Sequence, residues 1–293
     1  MSDDQGGELL REVRRVAAAA AEVIMQVRGR AALGGSIAQR SKPDDSPVTE
    51  ADMAAHQLIS AELRRLTPAI PVLSEEAADV DFEARSAWPR FWLVDPLDGT
   101  KEFIAGRDEF TVNIALIEGH QPLLGVVHVP PTGACYSGVV GAGAWRSEGP
   151  GASAQAIAVA TRSASRVRVA GSRSHRGDSL DGLLQRLGPH ELCAVGSSLK
   201  FCLVAEGNAD IYPRLGPTSE WDTAAGHAVL AAAGGQVRRM DGSSLVYNTQ
   251  REWLNPHFVA FGPSDRDWLS IVKEAGVKEK RGSNGFGHAG GQA

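Results

Sequence analysis

Residues Trp92 to Ile104, WLVDPLDGTKEFI, constrain this chain more than any other stretch. An apolar run ending at Val94 reads as a buried strand. Two carboxylates, Asp95 and Asp98, follow across a proline, and then come Gly99, Thr100 and Lys101. A buried strand that delivers two acids into a glycine turn is poor core material, because unpaired carboxylates are costly to bury. The stretch therefore predicts one corner of a cation site, with phosphate chemistry as the expectation. Other segments must supply the remaining corners.

The chain has 293 residues, enough for one large domain or two packed halves. Its net charge of −5 argues against a surface built for nonspecific binding of nucleic-acid polymers, so any anionic ligand needs local cations. Cys135, Cys193 and Cys202 are odd in number and lack metal-ligand spacing. They read as buried thiols in a reducing compartment. Met1 to Glu8 is polar and acidic and lacks a signal-peptide pattern. No apolar run approaches the ~18 residues of a membrane span. The cytoplasm is the expected location.

Periodicity predicts a helix over Glu8–Arg28, closed by Gly29, Gly34 and Gly35, and a loop over Ser41–Pro47. A second helix starts at Thr49, where Thr49 and Asp52 have capping-box spacing. Ile70–Ser74 reads as a short strand ending at Glu75 and Glu76, and Ala77–Pro89 as a polar connection. Strands are expected over Phe110–Ile117, Leu123–Val129, Ala134–Val140 and Gly143–Arg146. The segment Ser147–Gln155 is the expected domain boundary, giving an N-terminal half over 1–150 and a C-terminal half over 151–276. That second half alternates strand and helix, with a strongly apolar helix over Thr223–Ala233. Residues 277–293 are polar and glycine-rich and are expected to be disordered.

Glu75 at one strand end, Asp95 and Asp98 at the next, and Asp222 at a helix start form a set of oxygen donors outside regular elements. Magnesium takes such ligands together with substrate phosphate, and two ions ~3.5–4 Å apart can clamp an in-line displacement. Each acid also has a plain structural reading. Glu75 and Glu76 fit a solvated pair, Asp222 fits a helix N-cap, and Asp52 fits a helix cap. The joint pattern favours the metal site. No P-loop, dinucleotide fingerprint, zinc spacing or Gly-x-Ser-x-Gly elbow competes with it.

WLVDPLDGTKEFI, with SEE upstream and EWDTAAGHAVL downstream, resembles the inositol monophosphatase superfamily of Mg²⁺-dependent, lithium-sensitive phosphatases. KPDDSPVTEADMAAH, AGSRSH and GSSLKFCLVAEGNADIYPRLGPTSEWDTAAGH resemble its 3′(2′),5′-bisphosphate nucleotidase branch, and the likeness runs from about Lys42 to Gly235. The resemblance implies a layered α/β/α/β/α sandwich (α/β, with α+β character) and an active site between the halves. It assigns Glu75, Asp95 and the Leu97 carbonyl to a first Mg²⁺, and Asp95, Asp98 and Asp222 to a second. A third, weaker ion would share Glu75. Thr100 and Asp52 would orient the attacking water, and the backbone of Gly99 and Thr100 would hold phosphate.

The implied substrate is a small bisphosphate nucleotide, adenosine 3′,5′-bisphosphate, with its 5′-phosphosulfate analogue as a second. Lys101, Arg107, Arg173, Lys200 and Arg214 are the candidate cations for its other phosphate. Ser172 and Ser198 accompany them, Asp222 also faces substrate, and Glu206 is a candidate nucleoside contact that fits a surface helix end equally well. Inositol monophosphate or fructose 1,6-bisphosphate keeps the chemistry and changes the substrate. A nucleotide- or metal-binding sensor without turnover is the reading from another class. Members of the superfamily are often dimers, which makes a homodimer an option, although no interface is readable in the sequence. Some relatives lie at the inner membrane surface, but no amphipathic basic helix here requires that.

Overall fold

The computed structural model describes residues 3–41, 47–149, 151–161, 166–171 and 178–274. The chain opens with helix α1 (Asp3–Ala32), a hairpin of β1 (Gln39–Ser41) and β2 (Pro47–Thr49), and helix α2 (Glu50–Leu66). Then come β3 (Val72–Ser74), a 3₁₀ turn (Glu75–Ala77), the short helix α3 (Phe82–Ser86), β4 (Arg90–Asp98) and the short helix α4 (Thr100–Ile104). A run of strands follows: β5 (Thr111–Glu118), β6 (Gln121–His128), β7 (Cys135–Val139), β8 (Gly143–Ser147) and β9 (Gln155–Ile157). The remainder is β10 (Val167–Gly171), α5 (Asp178–Leu187), β11 (His190–Ala194), α6 (Leu199–Ala205), β12 (Ile211–Arg214), α7 (Glu220–Ala232), β13 (Gln236–Arg239), β14 (Phe258–Phe261) and α8 (Trp268–Glu274).

Strands β3 to β9 lie in chain order in one seven-stranded sheet, antiparallel except for the parallel β3–β4 pair. A five-stranded sheet has the order β11-β10-β12-β14-β13. Three apolar cores separate the layers. The first fills the space between α1, α2 and the large sheet, with Val13, Ile24, Ile59, Trp92, Val94 and Ile114. The second fills the space between the two sheets around α6 and α7, with Leu93, Ala115, Phe201, Ala225 and Val229. The third joins the small sheet to α5 and α8 through Val169, Leu183, Val259 and Trp268. The architecture is therefore a five-layer α/β/α/β/α sandwich. Among the described residues no helix is long and apolar enough to cross a membrane.

Strands β4 and β5 are buried on both faces, so they read as apolar runs whose alternate residues serve different cores. Trp92 and Val94 face α1 and α2, while Phe91 and Leu93 face α7. Helix α7 lies very close to the sheet because the contact is built from small residues. A Cβ at Gly125 would sit 2.4 Å from the Ala225 carbonyl oxygen and 2.6 Å from the Ala228 methyl. A Cβ at Gly138 would sit 2.7 Å from that of Ala232, and one at Gly226 would strike Phe201 on α6.

Several expectations shift. Helix α1 runs through Gly29, and Gly34, with φ of 93°, marks its end instead. The connection before β4 contains α3, which has no periodicity to reveal it. The large sheet continues to β9, past the expected boundary at residue 150. Cys135 and Cys202 are buried, but Cys193 is partly exposed, and all three are unpaired. Parts of the expected loop at 41–47 and all of 277–293 lie outside the described residues.

Candidate active site

Side chains three apart on a regular strand point to opposite faces. Asp95 and Asp98 nevertheless converge, because β4 bulges between them. Asp95 pairs with Asn113 and Asp98 with Thr111, so three steps on β4 oppose two on β5. The extra residue turns Leu97 into the α1/α2 core and leaves both acids on the face toward α7. These acids therefore lie inside β4, not beyond its end, and the bulge is what exposes them to a common point.

The N-terminus of α7 arrives from the opposite side. Asp222 is its third residue, in a capping box with Ser219. It accepts from the Ser219 N–H at 2.8 Å and the Thr218 hydroxyl at 2.8 Å. Asp222 is thus not the N-cap itself but its reciprocal partner. Oxygens of Asp95, Asp98 and Asp222 all lie within 4.8 Å of one another. Burial raises the Asp95 pKa well above the usual carboxylate range, and the neighbouring Glu75, Asp98 and Asp222 raise it further. Burial and then Asp98 push Asp222 up to about 6, against the two capping donors. Glu75 stands beside Asp95 in the 3₁₀ turn after β3. Such a crowd of carboxylate oxygens is the donor set of a hard divalent cation, and its mutual repulsion is what a cation would relieve.

A second constellation adjoins it. Gly99 has φ of 99° and no room for a Cβ against Glu109 and Phe110, so only glycine makes this turn from β4 into α4. The turn places Thr100 so that its hydroxyl donates to Asp52 at 3.0 Å and lies 3.2 Å from the Leu97 carbonyl. Asp52 is buried, and it also accepts from the Thr49 N–H at 2.8 Å and hydroxyl at 2.5 Å as the capping-box residue of α2. Burial raises its pKa, and the three donors pull it back. Asp52 is therefore both a helix cap and the partner of Thr100; the two readings are compatible.

An open pocket of about 160 Å³ leads from these acids into the second half, lined by Asp98, Gly99, Ser198, Lys200, Arg214 and Asp222 among others. Lys200 is buried, donates to the carbonyls of Ser197 at 2.7 Å and Val195 at 3.3 Å, and is lowered by burial to about 8. Arg214 is anchored on the Pro217 carbonyl. Lys101 and Arg107 are exposed, and from α4 it is Glu102 that faces the pocket. Glu206 lies at the far end of α6 from Lys200. It is held there by Arg146 at 2.8 Å and the Tyr136 hydroxyl at 3.2 Å, so the structure does not bring it to the pocket. Ser172 and Arg173 lie outside the described residues.

Sequence reasoning missed Thr218, Thr111, Asn113 and Ser197. Ser197, at φ of 54°, donates to Asp98 at 2.5 Å. The available signal was Thr111 and Asn113 themselves, two polar side chains in a strand that is otherwise apolar and buried up to Ile117.

A model of the inositol monophosphatase family matches residues 8–262. The chain is 51% identical over 250 residues to the 3′(2′),5′-bisphosphate nucleotidase CysQ of Salmonella typhimurium, covering 85% of this chain and 98% of that protein. It is 54% identical over 218 residues to the CysQ nucleotidase of Escherichia coli K12, covering 74% and 86%. The crystal structure of CysQ from Bacteroides thetaiotaomicron, a bacterial member of the inositol monophosphatase family, superposes with a TM-score of 0.75 at 37% identity, covering 87% of this chain and 97% of that one. With the five-layer fold and the converging acids, these likenesses place the chain in the inositol monophosphatase family.

Proposed function

We propose that this chain is a Mg²⁺-dependent 3′(2′),5′-bisphosphate nucleotidase, which hydrolyses adenosine 3′,5′-bisphosphate to AMP and phosphate. The carrying observation is the convergence of Asp95, Asp98 and Asp222 beside the hydrogen-bonded Thr100–Asp52 pair. The identity to nucleotidases named CysQ supplies the substrate class.

Glu75, Asp95 and the Leu97 carbonyl would hold one Mg²⁺, and Asp95, Asp98 and Asp222 a second, with Asp95 shared; a third ion would share Glu75. Bound there, magnesium supplies positive charge against the charge developing on the phosphoryl group and acidifies the attacking water. Thr100 aims that water. Its proton is committed to Asp52, so its lone pairs are left to accept from the water. Asp52 acts through Thr100 and is held in place by its three donors. Backbone N–H groups of Gly99 and Thr100, at the start of α4, would hold the phosphate. Lys200 and Arg214, which line the pocket, favour a substrate with a second anionic group. That group is a phosphate or, in the 5′-phosphosulfate analogue, a phosphosulfate. Three unpaired cysteines are in keeping with a reducing, cytoplasmic setting.

Phosphate release with Mg²⁺ should be compared on adenosine 3′,5′-bisphosphate, inositol 1-phosphate and fructose 1,6-bisphosphate. The nucleotide should lead in kcat/KM by at least about tenfold, the equivalent of one lost charged hydrogen bond. The reverse ranking would reassign the substrate. Nucleotide binding with no phosphate released from any of the three would make the protein a sensor.

A further inference from the structure

The second half of the chain reaches the carboxylate cluster at a point other than Asp222. The turn before α6 brings Ser197 onto β4, where its hydroxyl meets an Asp98 carboxylate oxygen at 2.5 Å and the Asp98 carbonyl at 3.2 Å. Behind it lies a closed set of buried polar groups. The Ser197 and Thr111 hydroxyls are 2.5 Å apart, and Thr111 and Ser198 are 2.9 Å apart. Ser198 donates to the Asn113 side-chain carbonyl at 2.7 Å, and the Asn113 amide faces Asp98 at 3.4 Å. Thr111, Asn113 and Ser198 are at most 2% exposed.

The hydroxyl protons fix the direction of these bonds. Ser197 donates to the Asp98 carboxylate, so at its contact with Thr111 it accepts, and Thr111, which also lies 3.1 Å from the Asn113 side-chain carbonyl, is the donor there. Ser198 orients the Asn113 amide so that its N–H also points at Asp98. The Ser197 hydroxyl and the Asn113 amide thus both point at a single carboxylate oxygen. Ser197 makes its contact from a left-handed backbone, φ 54°, which costs a non-glycine residue energy and persists only where its surroundings hold it. Lys200 supplies that restraint by donating to the Ser197 carbonyl at 2.7 Å.

We propose that Ser197 is a positioning residue for Asp98, with Thr111, Ser198 and Asn113 as its fixed backing. It engages one carboxylate edge, so that the other is presented to the divalent cation. The inference rests on the metal-binding reading of Asp95, Asp98 and Asp222. It also makes seating of the Val195–Ser198 turn on β5 a condition for tight metal loading.

Mn²⁺ titration by calorimetry, on the full chain without nucleotide, tests it. Ser197→Ala should raise the Mn²⁺ dissociation constant by about tenfold or more, the usual effect of losing an outer hydrogen-bond partner of a ligand. Thr111→Val, which does not line the pocket, should raise it by a smaller factor, about threefold. A lower melting temperature with unchanged Mn²⁺ affinity would reduce Ser197 to a structural role and overturn the proposal. A raised KM for nucleotide with unchanged Mn²⁺ affinity would make it a substrate contact and overturn it equally. If Ser197→Ala fails to fold, unchanged affinity in Thr111→Val decides against the proposal. Failure of the wild-type chain to bind Mn²⁺ would remove the metal reading itself, a result distinguishable from the others.

Discussion

Gly125→Ala tests whether the packing of α7 sets the geometry of the acids. The added Cβ would lie 2.4 Å from the Ala225 carbonyl oxygen, whereas ordinary contact begins near 3.4 Å. Helix α7 must therefore back away from β6 by about 1 Å, the difference between those distances. The obstacles are a helix carbonyl and the Ala228 methyl, neither of which has a rotamer to change. Overpacking of this kind costs about 1–3 kcal/mol, or a fall of a few to about 10 °C in melting temperature at this chain size. Helix α7 also carries Asp222, so the same displacement separates it from Asp95 and Asp98. A 1 Å misplacement can cost about 10²-fold in rate, and here part of that loss should be recovered at higher Mg²⁺. Thermal melting and phosphate release across a Mg²⁺ series read both effects. Gly7→Ala on α1, where nothing lies within 4 Å of the new Cβ, should leave the Mg²⁺ requirement unchanged and the melting temperature equal or slightly higher, since alanine is the better helix former. A destabilised Gly125→Ala protein with the wild-type Mg²⁺ requirement would refute the claim that this contact positions Asp222. Wild-type stability would refute the packing argument itself.

Three further outcomes are expected. Thr100→Val should lower kcat by about 10²–10⁴-fold with little change in melting temperature. Asp52→Ala should lose a similar factor and also about 1 kcal/mol of stability, because it removes the partner of the Thr49 cap in the capping box of α2 as well; equal melting temperatures for the two variants would contradict the dual role of Asp52. The third concerns His128, which burial, aided by Arg14, lowers to about 4. It stays neutral in the fold and takes a proton below pH 6.5 once unfolded, so its contribution is complete above that value and shrinks as pH falls toward 4. Relative to His128→Phe, wild-type stability should drop by up to about 1.4 kcal/mol per pH unit across that window. Parallel pH profiles in urea unfolding would refute it. The comparison between variants cancels the buried acids, whose raised pKa values act in the opposite sense.

The site was legible where a single segment carries its own reason. Gly99 betrays its turn, Thr49 and Asp52 betray a helix start, and the apolar run into Asp95 betrays a buried strand. What failed to show was relative placement. Strand alternation alone would send Asp95 and Asp98 apart, and the bulge that reunites them follows from pairing with β5, a partner the local pattern does not name. The meeting of Ser197 with Asp98 spans 99 residues of sequence and depends on how two layers stack. Glu206 was misplaced for the same reason. In sequence it is a candidate nucleoside contact with a helix end as the other reading, and the structure puts it at the end of α6 away from Lys200, where Arg146 claims the carboxylate. Helix α3 escaped because five residues are too few to show a period.

The capping boxes of α2 and α7 bear on the order in which the protein assembles. Asp52 and Asp222 already have work as helix caps before any ion arrives. The helix starts do not wait for metal, so a chelated sample should keep its secondary structure and regain activity on re-addition of the ion. Neutralising either acid by mutation is a different event from removing the ion, since it also loosens a helix end. Loss of activity in such variants therefore cannot be charged to the chemistry alone, and the chelated wild-type protein is the cleaner reference for an inactive state.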